Sequence, residues 1–88
     1  MLTLAIILEK GEEMITVFED RQPTLEEAQK IVGGLVEMVH VPNKPDIQVL
    51  VNESGLLEDL EFNQEASRLC EQVLVGPAII LKGDAVWT

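Results

Sequence analysis

The chain has 88 residues, 47% of them apolar but only three aromatic, and carries sixteen acidic side chains against six basic ones, for a formal charge of −10. That length holds one domain near the small end of what folds unaided, with a core built from Leu, Ile and Val; a homo-oligomer extending so modest a core is expected. The charge argues against DNA or RNA backbones and anionic membrane surfaces, which require clustered Lys and Arg, and Lys10, Arg21, Lys30, Lys44, Arg68 and Lys82 are scattered.

No apolar run approaches the ~18 residues of a membrane span. The run Leu2 to Leu8 lacks the basic flank and cleavage site of a signal peptide, so a cytoplasmic protein is expected. One cysteine, Cys70, cannot form an internal disulfide, and its helical-register neighbours Ala66, Leu69 and Val73 make it a small core residue.

The β-branched segment Thr3 to Glu9 predicts a strand, bounded by the turn residues 10–13, with Met14 to Glu19 as its antiparallel partner. Because the first strand is apolar on both faces, a central place in a sheet is expected for it. The clearest local signal follows. Pro23, Thr24 and Glu27 spell a T-x-x-E capping box, and Leu25, Ala28, Ile31 and Val32 give the helix one buried side. Gly33-Gly34 ends that helix.

Leu35 to Val41 and Ile47 to Val51 read as two more strands, separated by a loop, Pro42 to Asp46, that two prolines define. Asn63 is a good N-cap for a second helix reaching about Gln72, with Ala66, Leu69, Cys70 and Val73 at helical spacing. Gly76-Pro77 leads to a strand at Ala78 to Leu81, a turn at Lys82-Gly83-Asp84 and a terminal AVWT with strand character. The order β-β-α-β-β-α-β-(β) predicts a single α+β domain over residues 1–88 with a small, mostly antiparallel sheet and two short helices.

Few groups converge for catalysis. His40 is the lone histidine and sits mid-strand, where a satisfied sheet histidine is the simpler account than a general base. One His and one Cys thirty residues apart do not make a metal site, and the acidic pairs lack the calcium-loop pattern. Gly33-Gly34 closes a helix, whereas a phosphate loop opens one. No enzyme, metal or cofactor is expected.

The stretch VNESGLLEDLEFNQEA admits two readings. Structurally, Asn52 and Gly55 make a turn, Leu57, Leu60 and Phe62 peg it to the core, and Asn63 caps a helix. Functionally, Asn52, Glu53 and Asn63 present amide and carboxylate groups to a base edge or a peptide, as a pegged loop can. The helix starts at Thr24 and Asn63 offer free amides with Arg21 and Arg68 near them, which would suit an anion.

The segments IVGGLVEMVHVPN, LVNESGLLEDLEFNQEAS and VLVGPAIILKGDA together resemble a family of small bacteriophage and mobile-element proteins catalogued as a domain of unknown function. Its pattern is a short helix running into "vGG-x-[IV]-E", a hairpin ending in "VNEEG", an "LP-x-N-x-x-A" step and a closing "[IV]VG" strand. Gly33, Gly34, Glu37, Asn52, Glu53, Gly55, Leu60, Asn63, Ala66 and Gly76 match, while Ser54 and Glu61 depart from it. The resemblance covers residues 25–84 and brings no established activity.

It does imply a binding role in a host cell. Two hypotheses follow, both non-enzymatic. In the first, the protein sequesters a host signalling nucleotide as a counter-defence device, with Arg21, Arg68, Lys30 or helix amides on phosphates and Asn52 or Asn63 on bases. Dispersal of the basic residues over the folded surface would count against it. In the second, it is an acidic interaction module that inhibits or redirects a host protein through its acidic face or an open strand edge, such as the AVWT segment.

Overall fold

A computed structural model describes residues 3–7, 14–19 and 21–87, of which residues 3–7 and 14 are described by their backbone alone. The turn expected at residues 10–13 lies outside them. Among the described residues five strands form one sheet: β1 (Thr3–Ile7), β2 (Met14–Phe18), β3 (Val36–Val41), β4 (Lys44–Asn52) and β5 (Ala78–Lys82). Two helices, α1 (Leu25–Val32) and α2 (Gln64–Cys70), complete the α+β fold in the order β-β-α-β-β-α-β.

The spatial strand order is β1-β2-β5-β4-β3. The β1–β2, β4–β5 and β3–β4 pairs are antiparallel and β2–β5 is parallel, so the sheet is mostly antiparallel. This order corrects one expectation. The first strand is at an edge, because β5 inserts between β2 and β4 and takes the centre.

Alternation along the strands divides the core in two. Ile15 and Val17 of β2, Val39 and Val41 of β3, Val49 and Val51 of β4 and Ala78 of β5 cluster with Ala66 and Cys70 of α2 and with Leu74. On the other face Phe18, Leu50, Ile79 and Leu81 pack with Ala28 and Val32 of α1 and with Ala85. Leu25 leaves that face: it is 54% exposed, since it sits in the first turn, beyond the sheet contact.

The capping box of α1 is formed as its residues require. Thr24 Oγ1 accepts from the Glu27 N–H at 3.0 Å, and the Thr24 N–H donates to Glu27 Oε1 at 2.9 Å. Gly33 ends the helix at φ 84°, a left-handed conformation that costs glycine little, and donates its N–H to Gln29 O. At Gly34 a Cβ would stand 3.0 Å from Asn52 Nδ2, so a side chain there would crowd the buried amide.

The β3–β4 hairpin is tighter than its prolines suggested. Val41 pairs with Lys44 around a two-residue turn in which Asn43 takes φ 64°. The register then shifts between His40 and Val41, and Pro45 lies in that irregular stretch of β4, where its missing N–H is tolerated.

Over its described residues, 85–87, the AVWT segment forms no strand. A 3-10 turn over Gly83–Ala85 sends residues 86–87 back across the α1 face. There the Gln48 side chain imitates a strand partner: its Nε2 donates to Trp87 O and its Oε1 accepts from the Trp87 N–H, both at 2.7 Å. Gln22 Nε2 donates to Val86 O at 2.7 Å, and Trp87 Nε1 donates to Pro23 O at 3.1 Å.

Candidate binding surfaces

The segment from Asn52 to Asn63 is a compact loop closed by its two asparagines. Asn52 is buried; its Nδ2 donates to Val32 O at 3.1 Å and to Glu58 Oε1 at 3.4 Å, while its Oδ1 accepts from the Ser54 N–H at 2.7 Å. It therefore ties the end of α1 to the start of the loop. Asn63, 1% exposed, caps α2 by accepting from the Ala66 N–H at 3.0 Å and donates its Nδ2 to Gly76 O at 2.8 Å. Ser67, also buried, both donates to Leu74 O and accepts from the Leu74 N–H. These side chains stand in for a ladder where the chain leaves the sheet.

The expected hydrophobic pegs are only partly present. Leu60 is half-buried against Gly76, but Leu57 is 91% exposed and Phe62 is 52% exposed. The loop needs no pegs there, because the Asn52 and Asn63 amides already fix both ends. The freed Leu57, with Leu56 and Val73, forms an apolar rim.

The two arginines do not meet. Arg21 makes a bidentate pair with Glu27, 2.9 Å on each oxygen, and its guanidinium stands 5.2 Å from the centroid of the Phe18 ring. Hydrogen bonding to Arg21 and to the Thr24 N–H lowers the Glu27 pKa to about 2, and the same pairing raises that of Arg21. Arg68, on α2, lies 3.6 Å from Glu65. Glu53 is exposed. Burial pushes the Cys70 thiol up, away from a reactive thiolate. Among the described residues, no three His, Cys, Asp or Glu side chains converge as a metal site.

Two grooves flank α2 on its side of the sheet. The first, about 370 Å³, is lined by Ile15, Val17, Ile47, Leu69 and Ile80 with Lys44, Lys82 and Glu65. The second, about 390 Å³, has Val39, Val51 and Leu74 as its floor, Leu56, Leu57, Val73 and Val75 in its walls, and Glu37 and Glu53 as its charged lining. Asn52 and Glu53 both line it. Sequence reading had not marked Lys44, Lys82 or Glu37 as a group; only the register of β3, β4 and β5 brings each to its groove.

The second groove runs beside β3, the edge strand. Glu53 N–H donates to Leu35 O, and continuing that phase along the antiparallel pair leaves the backbone groups of Val36 and Met38 pointing away from β4. Among the described residues this edge has no partner strand, and the apolar trough lies beside it. The profile of the family described as "Domain of unknown function (DUF3846)" matches residues 2–86. The chain belongs to that family. No curated protein and no solved structure matches it. In this DUF3846 domain, Gly33 and Gly34 stand at the end of α1, Asn52 and Gly55 at the loop entry, and Asn63 and Ala66 at the start of α2. Among the described residues no helix is long and apolar enough to cross a membrane.

Proposed function

We propose that the protein is a non-catalytic binding module that takes an extended segment of a partner protein along β3. The observation carrying this reading is the open β3 edge beside a trough rimmed by Leu56, Leu57 and Val73 and charged by Glu37 and Glu53. A strand added to β3 would bond the free groups of Val36 and Met38, set an apolar side chain in the trough, and bring Lys or Arg to the two carboxylates. The formal charge of −10 favours such a basic partner over long range. The resemblance to small phage proteins supports a host protein as the partner class, with inhibition or redirection of that protein as the outcome.

Sequestration of a small nucleotide draws less support. The Asn52 and Asn63 amides have partners inside the protein, Arg21 is held by Glu27, and Arg68 lies on the helix of the other face.

Selection from a library of random extended peptides tests the proposal. Enriched sequences should carry Lys or Arg beside apolar residues. Met38→Pro removes an N–H that β4 does not use, and Leu57→Asp changes a side chain outside the core; each should weaken binding about tenfold or more while leaving the fold intact. Acidic binders, or binders indifferent to both substitutions, would sink the reading. Sedimentation of a dimer that Met38→Pro dissolves would assign the edge to a second copy of the chain instead.

A further inference from the structure

The first groove has a different chemistry, and it is independent of the β3 edge. Its floor is aliphatic, from β2, β4, β5 and α2. The charges around it are Lys44, Lys82 and Glu65, and Glu65 already has Arg68 as its neighbour on the next helical turn. Among the described residues neither lysine forms an ion pair. Lys44 and Lys82 are 38 positions apart in sequence, yet β4–β5 pairing places Ile47 opposite Lys82, and both lysines line the one groove. Two of the six basic residues of a strongly acidic chain thus flank one aliphatic trough. Local charge there opposes the net charge of the molecule.

We propose that this groove binds a free amphipathic carboxylate: an aliphatic chain lying on Ile15, Val17, Ile47 and Ile80, with its carboxylate between Lys44 and Lys82. The volume, about 370 Å³, is at the lower end of the ~300–1,000 Å³ usual for small-ligand sites, and suits a chain of medium length. An aliphatic body satisfies the floor, which offers no hydrogen bond. A single anionic head satisfies two ammonium groups, each a point charge with rotatable donors rather than a planar fork. A bilayer surface does not fit the same requirement, because anionic headgroups would face the −10 charge of the whole chain.

The test is a titration of the 15N-labelled protein with octanoate, decanoate and dodecanoate below their micellar concentrations, followed by amide shifts. Decanol serves as the neutral control. Shifts should gather at residues 15, 17, 47, 69 and 80, and affinity should rise about threefold to fourfold for each added methylene. The Lys44→Met/Lys82→Met protein should lose about tenfold in dodecanoate affinity and none for decanol, and added salt should weaken only the carboxylate. Both lysines are exposed, so the double variant should retain its urea midpoint; the decanol and salt arms need no variant. Shifts elsewhere, equal binding of acid and alcohol, or an unchanged dodecanoate affinity in the double variant would overturn the proposal. Co-sedimentation with anionic phospholipid vesicles would overturn it in favour of a membrane surface.

Discussion

On the α1 face the sheet is closed: an eight-residue helix with a full capping box and the segment ending at Trp87 cover Phe18, Leu50, Ile79 and Leu81. On the opposite face the seven-residue helix α2 reaches Ala66, Cys70 and their neighbours but leaves a groove on either side. The difference is one of tethering, since the two helices differ by a single residue. The closed face gains its cover from chain far away in sequence, clamped by Gln48, Gln22 and Trp87. The open face relies on a short helix anchored by Asn63 and Ser67, and so local a cover leaves binding surface.

The largest break in this comparison should come from the closed face. Leu50→Ala opens a void in a side of the core with no route to relax, and should cost about 2–5 kcal/mol in urea unfolding. Leu69→Ala, in the first groove, should cost about 1 kcal/mol because its side chain is only half withdrawn from water. Equal losses at the two positions would mean the faces are not differently packed.

Removing the anchor of α2 comes next. Asn63→Ala leaves the Ala66 N–H and Gly76 O without their partners and should destabilise by about 1–3 kcal/mol. Asn63→Asp keeps the cap acceptor but sets a carboxylate against Gly76 O, so it should not restore wild-type stability. Full recovery by Asp would show that the cap alone matters.

Gln48→Met tests the clamp. It keeps side-chain length while losing both bonds to Trp87, and should cost about 1–2 kcal/mol. As the sole tryptophan, Trp87 should show red-shifted emission once released. Unchanged emission would mean the Gln22–Val86 and indole–Pro23 bonds hold the segment without Gln48.

The smallest effect is electrostatic. The Glu27 pKa, about 2 when folded, lies below the ordinary value of 4.5, so its stabilisation is present above about pH 4.5 and is lost as pH falls toward 2. The gap in stability between wild type and Glu27→Gln should therefore close through that window on acid titration. Because the Arg21–Glu27 pair faces solvent, salt should narrow the gap at pH 7. A pH-independent gap would assign the effect to the cap geometry.

Local chemistry announced the joints of the fold. Thr24 and Glu27, the glycine pair and Asn63 each act within a few residues, so their residue types are enough to place both helix starts and the first helix end. Apolar content also marks β4 and β5 as strands. It does not say which strand is the neighbour. The first strand reads as central because it is apolar throughout, yet its edge place follows from the insertion of β5, a pairing across some sixty residues. The same limit hid both grooves. Leu57 and Phe62 look like pegs until the asparagine network makes them unnecessary, and Lys44 and Lys82 become neighbours only through the β4–β5 register.

The position of β5 bears on how the molecule is made. Synthesis runs from the first residue onward, so β1, β2 and the β3–β4 hairpin exist before residues 78–82 leave the ribosome. Until then β2 and β4 each present an unpartnered edge to solvent or to one another, and no continuous sheet can close. Stable folding therefore waits for release of the last strand, and a nascent chain arrested before Ala78 should remain open to proteases and chaperones. Of the described strands, the one that holds the middle of the sheet is made last.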